Sequence, residues 1–216
     1  ALPAAALLPR ALRAATEGDA ILIAAADLHS PYARLPAILD EVRAIRAAAG
    51  GRPVAMLLNG DLFERGNVVA TRSGAVADWA FLRALAAEMP VVVNLGNHET
   101  AILDDMAGFV AEASGAGVEA IGNLVDRRTG RFFAPVSTRL GLGGIEVALL
   151  GLGTDNPFVY RQPVRDTLTL LDPVAFAADA FARDIGDGES EMVLVHFDEV
   201  VVVAADLEGR IIERGD

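Results

Sequence analysis

The chain has three histidines among 216 residues, and each stands where a short apolar run gives out. Ile21–Ala26 ends in Asp27-Leu28-His29, Val91–Leu95 runs into Gly96-Asn97-His98-Glu99, and Met192–Val195 is followed by His196. A fourth run, Val54–Leu58, has no histidine but leads into Asn59-Gly60-Asp61. Imidazole nitrogen, carboxylate oxygen and an asparagine carbonyl together suit hard or borderline divalent cations such as zinc, manganese or iron. One histidine at such a place is more often structural. Three of three, each near an Asp or Asn, point to a shared site. Two cations about 3.5–4 Å apart need a bridging carboxylate, and Asp61 is the natural candidate. Gly60 and Gly96 precede Asp61 and Asn97, serving either a turn or a close backbone approach.

Those positions gain meaning from the elements before them. Ile21–Ala26, Val54–Leu58 and Val91–Leu95 read as strands buried on both faces, being short and almost wholly apolar. Between and after them lie helical patterns at Leu35–Ala49, stopped by Gly50-Gly51, at Val76–Glu88 and at Ile102–Ala113. Strand alternating with helix predicts a layered α/β sandwich with a largely parallel sheet and helices on its outer faces. In such sheets ligands gather outside the carboxyl ends of the strands. Further on, Phe132–Leu140 and Ile145–Leu150 read as a hairpin closed by Gly141-Leu142-Gly143-Gly144. Pro173–Ile185 reads as a helix and Met192–Val195 as a buried strand, while Val200–Ala204 fits strand or helix.

Composition limits the partners. The formal charge is −12, and all 18 basic residues are arginine. A backbone-binding partner of a nucleic-acid polymer needs clustered cations, so that class is disfavoured. A small phosphorylated substrate is compatible if metal ions bring the positive charge. With no cysteine there are no disulfides or thiolate sites, and no apolar run is long enough for a membrane span. Residues 1–19, rich in alanine and leucine but broken by Pro3, Pro9, Arg10 and Arg13, read as a lead-in. They fit the remnant of a cleaved export signal, which implies a periplasmic or extracellular protein, or a frayed segment of a cytoplasmic one. Residues 20–216 form the one expected domain.

Taken in order, Asp27-x-His29, Gly60-Asp61-x4-Gly66, Gly96-Asn97-His98-Glu99 and His196 resemble the signature of the calcineurin-like metallophosphoesterases. Ile121–Asp126, Ile145–Gly151 and Leu168–Pro173 are similar to connecting segments of the 5′-nucleotidase branch, so the resemblance covers roughly residues 20–200. It implies the metallophosphoesterase sandwich and two divalent metal ions (manganese, zinc or iron). Asp27 and His29 would hold the first ion, Asp61 would bridge, and Asn97 and His196 would hold the second. His98 would face the substrate phosphate as a catalytic residue. Glu99 would buttress the loop or serve as a solvated helix-start carboxylate. The implied activity is hydrolysis of a phosphate ester, a nucleotide phosphomonoester first, with a metal-bridging hydroxide as nucleophile.

Two departures bear on that expectation. The family closes with Gly-His-x-His, whereas no histidine follows His196. The expectation is a chain cut before that motif, with a substrate-binding domain beyond residue 216. The nucleotidase branch also carries an aspartate two residues past the glutamate, where this chain has Ala101; Asp104 or Asp105 would be the substitute. Competing readings are a thiosulfohydrolase or cyclic-nucleotide phosphodiesterase of the same superfamily, or a non-catalytic binding protein with a degenerate site. A Rossmann nucleotide binder ranks low for want of a Gly-x-Gly-x-x-Gly turn. Arg65, Arg161 and Arg165 are surface cations or substrate contacts.

Overall fold

The structure is a computed structural model describing residues 20–184, 190–197 and 200–204, with only the backbone described from 181 onward. The expectations for residues 1–19 and 205–216 therefore lie outside the described residues. In chain order the first half comprises β1 (Ile21–Ala25), α1 (Leu35–Ala48), β2 (Val54–Asn59), α2 (Val68–Ser73), α3 (Val76–Glu88), β3 (Val91–Asn94), α4 (Thr100–Leu103), α5 (Met106–Gly115) and β4 (Glu119–Ile121). The second half comprises β5 (Val125–Asp126), β6 (Arg131–Phe132), β7 (Ser137–Leu142), β8 (Ile145–Gly153), α6 (Gln162–Arg165), β9 (Leu168–Thr169), α7 (Pro173–Asp184), β10 (Ser190–Phe197) and β11 (Val200–Ala204).

Strands β1-β2-β3-β4 form one parallel sheet, and β11-β10-β8-β7 form a second, mixed sheet. A small third sheet joins β6, β5 and β9. Side-chain alternation along the strands decides the layering. Ala55 and Leu57 of β2, with Val92 and Ile121, face Leu140, Leu142, Val147 and Leu149 of the second sheet. Val54, Met56 and Leu58 point the other way, against a helical layer that includes Val42, Trp79, Leu85 and Phe109. Beyond the second sheet, Leu150 and Leu152 of β8 pack on Phe176, Ala177 and Ala180 of α7. Helices therefore cover the outside of two stacked sheets, which is the expected layered α/β sandwich. No helix among the described residues is long and apolar enough to cross a membrane.

Three expectations need correction. The β1 run is half-buried with Ala24 exposed, because β1 lies at the edge of its sheet and not in the interior. The single helix expected at Ile102–Ala113 is two. Asp104 closes α4 in the left-handed region at φ 54°, and the Asp105 carboxylate caps α5 by accepting from Ala107 N at 3.3 Å. The hairpin turn is only Gly143-Gly144 (φ 61° and 95°), and Leu142 pairs with Ile145 across it. Residues 131–132 belong instead to the small sheet. Val200–Ala204 resolves as a strand antiparallel to β10.

Candidate functional site

The loops after β1, β2 and β3 are stitched together at the carboxyl edge of the first sheet. Asp27 N donates to Gly60 O at 3.1 Å, His29 N to Asp61 O at 3.0 Å and Ser30 N to Leu62 O at 2.9 Å. His98 N then donates to the Asp61 carboxylate at 2.7 Å, and Leu62 N to Glu99 Oε1 at 3.0 Å. Glu99 is fully buried, so it buttresses the β2 loop and is not solvated. Phe63 anchors the same loop, its ring packed edge-on against Trp79 (4.9 Å) and Phe109 (5.6 Å). Full burial of a phenylalanine contributes roughly 1.5–3 kcal/mol, enough to hold the flanking Asp61 and Glu64 in place.

This stitching carries strain. Asp27, His29, Ser30 and Asp61 all sit at φ between 49° and 55°, a left-handed region that non-glycine residues rarely occupy. Gly60 also lies there, at φ 77°, so it serves the turn. Gly96 does not share that conformation. A Cβ at Gly96 would fall 2.5 Å from Asp61 Oδ1 and 2.9 Å from Glu99 Oε2. Close approach, not turn chemistry, explains this second glycine.

Asp27, His29 and Asp61 each place a donor atom within 4.8 Å of the other two, a group that could hold a metal ion. Asp61 is 5% exposed and Asn97 6%. The Asn97 amide nitrogen donates to Val159 O at 3.4 Å, while its buried Oδ1 has no hydrogen-bond partner among the described residues. A buried orphan carbonyl is costly in the absence of a ligand, and it suits a cation. The donor set thus fits divalent metal ions. His196 is the penultimate residue of β10 and pairs in register with Gly153, the last residue of β8. A Cβ on Gly153 would come within 3.3 Å of Leu95 O, which puts this end of β8 beside the end of β3. The His196 side chain lies outside the described atoms.

A second cluster contains a residue that reading the sequence overlooked. Glu64 Oε2 lies 3.2 Å from His29 Nδ1 and 3.5 Å from His98 Nδ1, and the two imidazoles meet edge-on at 4.7 Å. The Gly66 backbone N–H holds the Glu64 carboxyl below its ordinary pKa, against partial burial and with further help from His29 and His98. Glu64 thus gives His98 a neighbouring carboxylate where residue 101, an alanine, offers none. Asp104 and Asp105 do not. Asp104 is bound by Arg161 and lies 3.4 Å from Arg65, while Asp105 caps α5 and pairs with Arg128. Arg161 also donates to Thr100 O at 3.0 Å, so Arg65 and Arg161 fasten the end of α4.

Residues 22–170 match the family model for the calcineurin-like phosphoesterases. Among solved structures the chain is similar to a 5′-nucleotidase precursor from Thermus thermophilus, with 23% identity and a TM-score of 0.63 over 81% of this chain and 36% of that one. It is also similar to the NAD nucleotidase of Haemophilus influenzae, at 18% identity and a TM-score of 0.63 over 81% and 34% of the two chains. A sulfate thiohydrolase from Thermus thermophilus matches at 19% identity and a TM-score of 0.51, over 78% and 30%. The chain spans about a third of the length of these neighbours. No curated protein matches the sequence.

Proposed function

Because this chain belongs to the calcineurin-like phosphoesterase family, we propose that it takes part in metal-dependent hydrolysis of phosphate esters, nucleotide phosphomonoesters first. The observation that carries this reading is the meeting of Asp27, His29 and Asp61 donor atoms, together with a buried Asn97 oxygen that has no hydrogen-bond partner among the described residues. Asp27 and His29 would hold one divalent ion, Asp61 would be the carboxylate shared with a second, and Asn97 and His196 would serve that second ion. Glu64 accepts from His29 Nδ1, which leaves Nε2 and its lone pair on the side of Asp27, 3.7 Å away.

The charge pattern supports the same conclusion. Asp27, Asp61, Glu64 and Glu99 gather here, and a phosphate would be repelled without added positive charge. Divalent cations, when bound, neutralise phosphate oxygens and make a water acidic enough to attack. The protein's own contribution is placement. Buried Asp61 is fixed by the His98 amide, and the loops hold their strained shape before substrate arrives. His98 is one-third exposed and held near Glu64, which suits it to protonate the departing ester oxygen.

The test is hydrolysis of nucleoside monophosphates by the manganese-loaded protein, beside Asp61→Asn. The variant keeps the shape and loses the charge, so both manganese content and turnover should collapse. Chelator-insensitive hydrolysis, or an Asp61→Asn protein with full metal content, would refute the reading. The sulfate thiohydrolase neighbour motivates one alternative, sulfur-ester hydrolysis, and a thiosulfonate substrate in the same assay decides between them.

A further inference from the structure

Ser30 is the residue of the site most in need of restraint. It follows His29, is fully buried, and sits at φ 49°, a conformation that non-glycine residues rarely adopt. Pro31 comes next, and a proline drives the residue before it toward extended backbone at negative φ. Two local preferences therefore pull Ser30 away from its observed shape. His29, at φ 51°, lies on the same turn. Such a shape persists only where surrounding contacts over-determine it.

Those contacts come largely from one segment, residues 62–67, which wraps around Ser30. The Ser30 N–H donates to Leu62 O at 2.9 Å, and its hydroxyl oxygen accepts from Glu64 N at 3.0 Å. Its carbonyl accepts from Tyr32 N at 2.8 Å and from the Asn67 side-chain Nδ2 at 2.6 Å. Of these two donors, only Asn67 lies outside the β1 loop. Asn67 is tied to Glu64 as well, its own N–H donating to Glu64 O at 3.3 Å. Its Oδ1 caps α2, accepting from Val69 N at 3.0 Å and Ala70 N at 3.2 Å. One side chain thus does two separable things. Its oxygen serves the helix, and its nitrogen serves the turn that carries His29. Aspartate and serine cap helices as well as asparagine does, so the first task does not require an amide. The second does: an ionised aspartate has no proton to donate, and serine has one polar atom where asparagine has two.

We propose that Asn67 is a positioning residue for His29: through the Ser30 carbonyl, its amide holds the left-handed turn after β1 against relaxation and so fixes where the His29 ring stands. Released, Ser30 moves toward the extended region that Pro31 favours, and His29 Nδ1 leaves its 3.2 Å contact with Glu64 Oε2. The consequence for metal affinity and turnover rests on the metal-dependent reading of the site. The consequence for ring orientation does not.

Nitrogen-15 imidazole spectra read ring orientation without substrate or metal, and the chain has only three histidines to resolve. Asn67→Asp and Asn67→Ser both keep an oxygen for the α2 amides, one with a charge and one without. Both should melt above Asn67→Ala, which loses the cap too. All three should nevertheless shift the His29 ring signal. All three should also lower manganese affinity and turnover about 10–100-fold, the usual cost of losing support behind a metal ligand. Wild-type ring signals and manganese affinity in the Asp and Ser variants would overturn the proposal, because Asn67 would then only cap α2. A change confined to Asn67→Asp would overturn it too, since the added charge and not the lost amide would be acting. Should Asn67→Ala fail to fold, the Asp and Ser variants decide alone. A wild type that hydrolyses no phosphate ester sinks the functional reading, yet leaves the ring signals to judge this one.

Discussion

Gly96→Ala is the smallest substitution that tests the architecture of the site. The added Cβ would lie 2.5 Å from Asp61 Oδ1, 2.8 Å from Asp61 N and 2.9 Å from Glu99 Oε2. All three lie closer than a Cβ approaches oxygen or nitrogen in folded proteins, so the neighbouring atoms must shift. Gly96 lies outside the left-handed region, so conformational strain adds nothing and the whole effect is overlap. Overpacking of this kind costs about 1–3 kcal/mol. In a domain of this size each kcal/mol moves the melting temperature by roughly 2–4 °C. The position of the overlap matters more than its size. The shortest of the three contacts is to the Asp61 carboxylate, whose donor atom lies within 4.8 Å of those of Asp27 and His29, so relieving the overlap disturbs that group.

Gly151→Ala is the matched control. Its Cβ would meet Asn94 Oδ1 at 2.7 Å, Ile121 Cγ1 at 2.8 Å and Gly122 N at 3.0 Å, between the two sheets. The compression is comparable, but no candidate metal donor is among those atoms. Both variants should melt lower by similar amounts in differential scanning calorimetry. Only Gly96→Ala should also lose manganese affinity in a calorimetric titration. Wild-type affinity in Gly96→Ala, or equal loss in both, would show that Asp61 is not confined as described.

Two further outcomes follow from the same contacts. His98→Ala should lower turnover about 10²–10⁴-fold on nucleoside monophosphates and less on nitrophenyl phosphate, whose leaving group departs without a proton; equal loss on both substrates would make His98 a phosphate-positioning group. Asp126 is held below the ordinary carboxylate range chiefly by its hydrogen bond from Arg128, so its contribution to stability is present above the unfolded-state pKa and lost as pH falls through the folded one. Asp126→Asn should therefore melt lower than wild type at neutral pH and converge with it in acid, and a constant difference across the titration would refute that origin.

The candidate metal-site residues were legible because rare residue types coincided with an architectural rule. His29, Asp61 and His98 follow the strands of the parallel sheet at its carboxyl edge, and His196 stands near the end of β10 in the second sheet. The alternation of strands and helices was legible for the same reason: β2 and β3 are buried on both faces and therefore continuously apolar. The α4–α5 break was missed because apolar spacing continues through it. The signal was the Asp104-Asp105 pair, one residue closing a helix and the next capping another. Edge placement of β1 has no local signature, since Ile21–Ala25 is as apolar as a central strand.

Glu64 belongs to a different category. Nothing in its spacing sets it apart, since it lies beside Arg65 like any solvated charge pair. One clue did exist. Ala101 left His98 without the acid partner its family relatives would lead one to expect, so another carboxylate had to come from elsewhere in the fold. Proximity in sequence suggested Asp104 and Asp105, but arginines claim both. The partner comes from the neighbouring strand's loop, far earlier in the chain than His98, because the β1–β2 and β2–β3 stitching brings Glu64 under both rings. A candidate ligand set can be read from strand ends, because sheets of this kind gather ligands there. The residues that orient those ligands can be drawn from any element packed behind the loops, and only the packed structure identifies which.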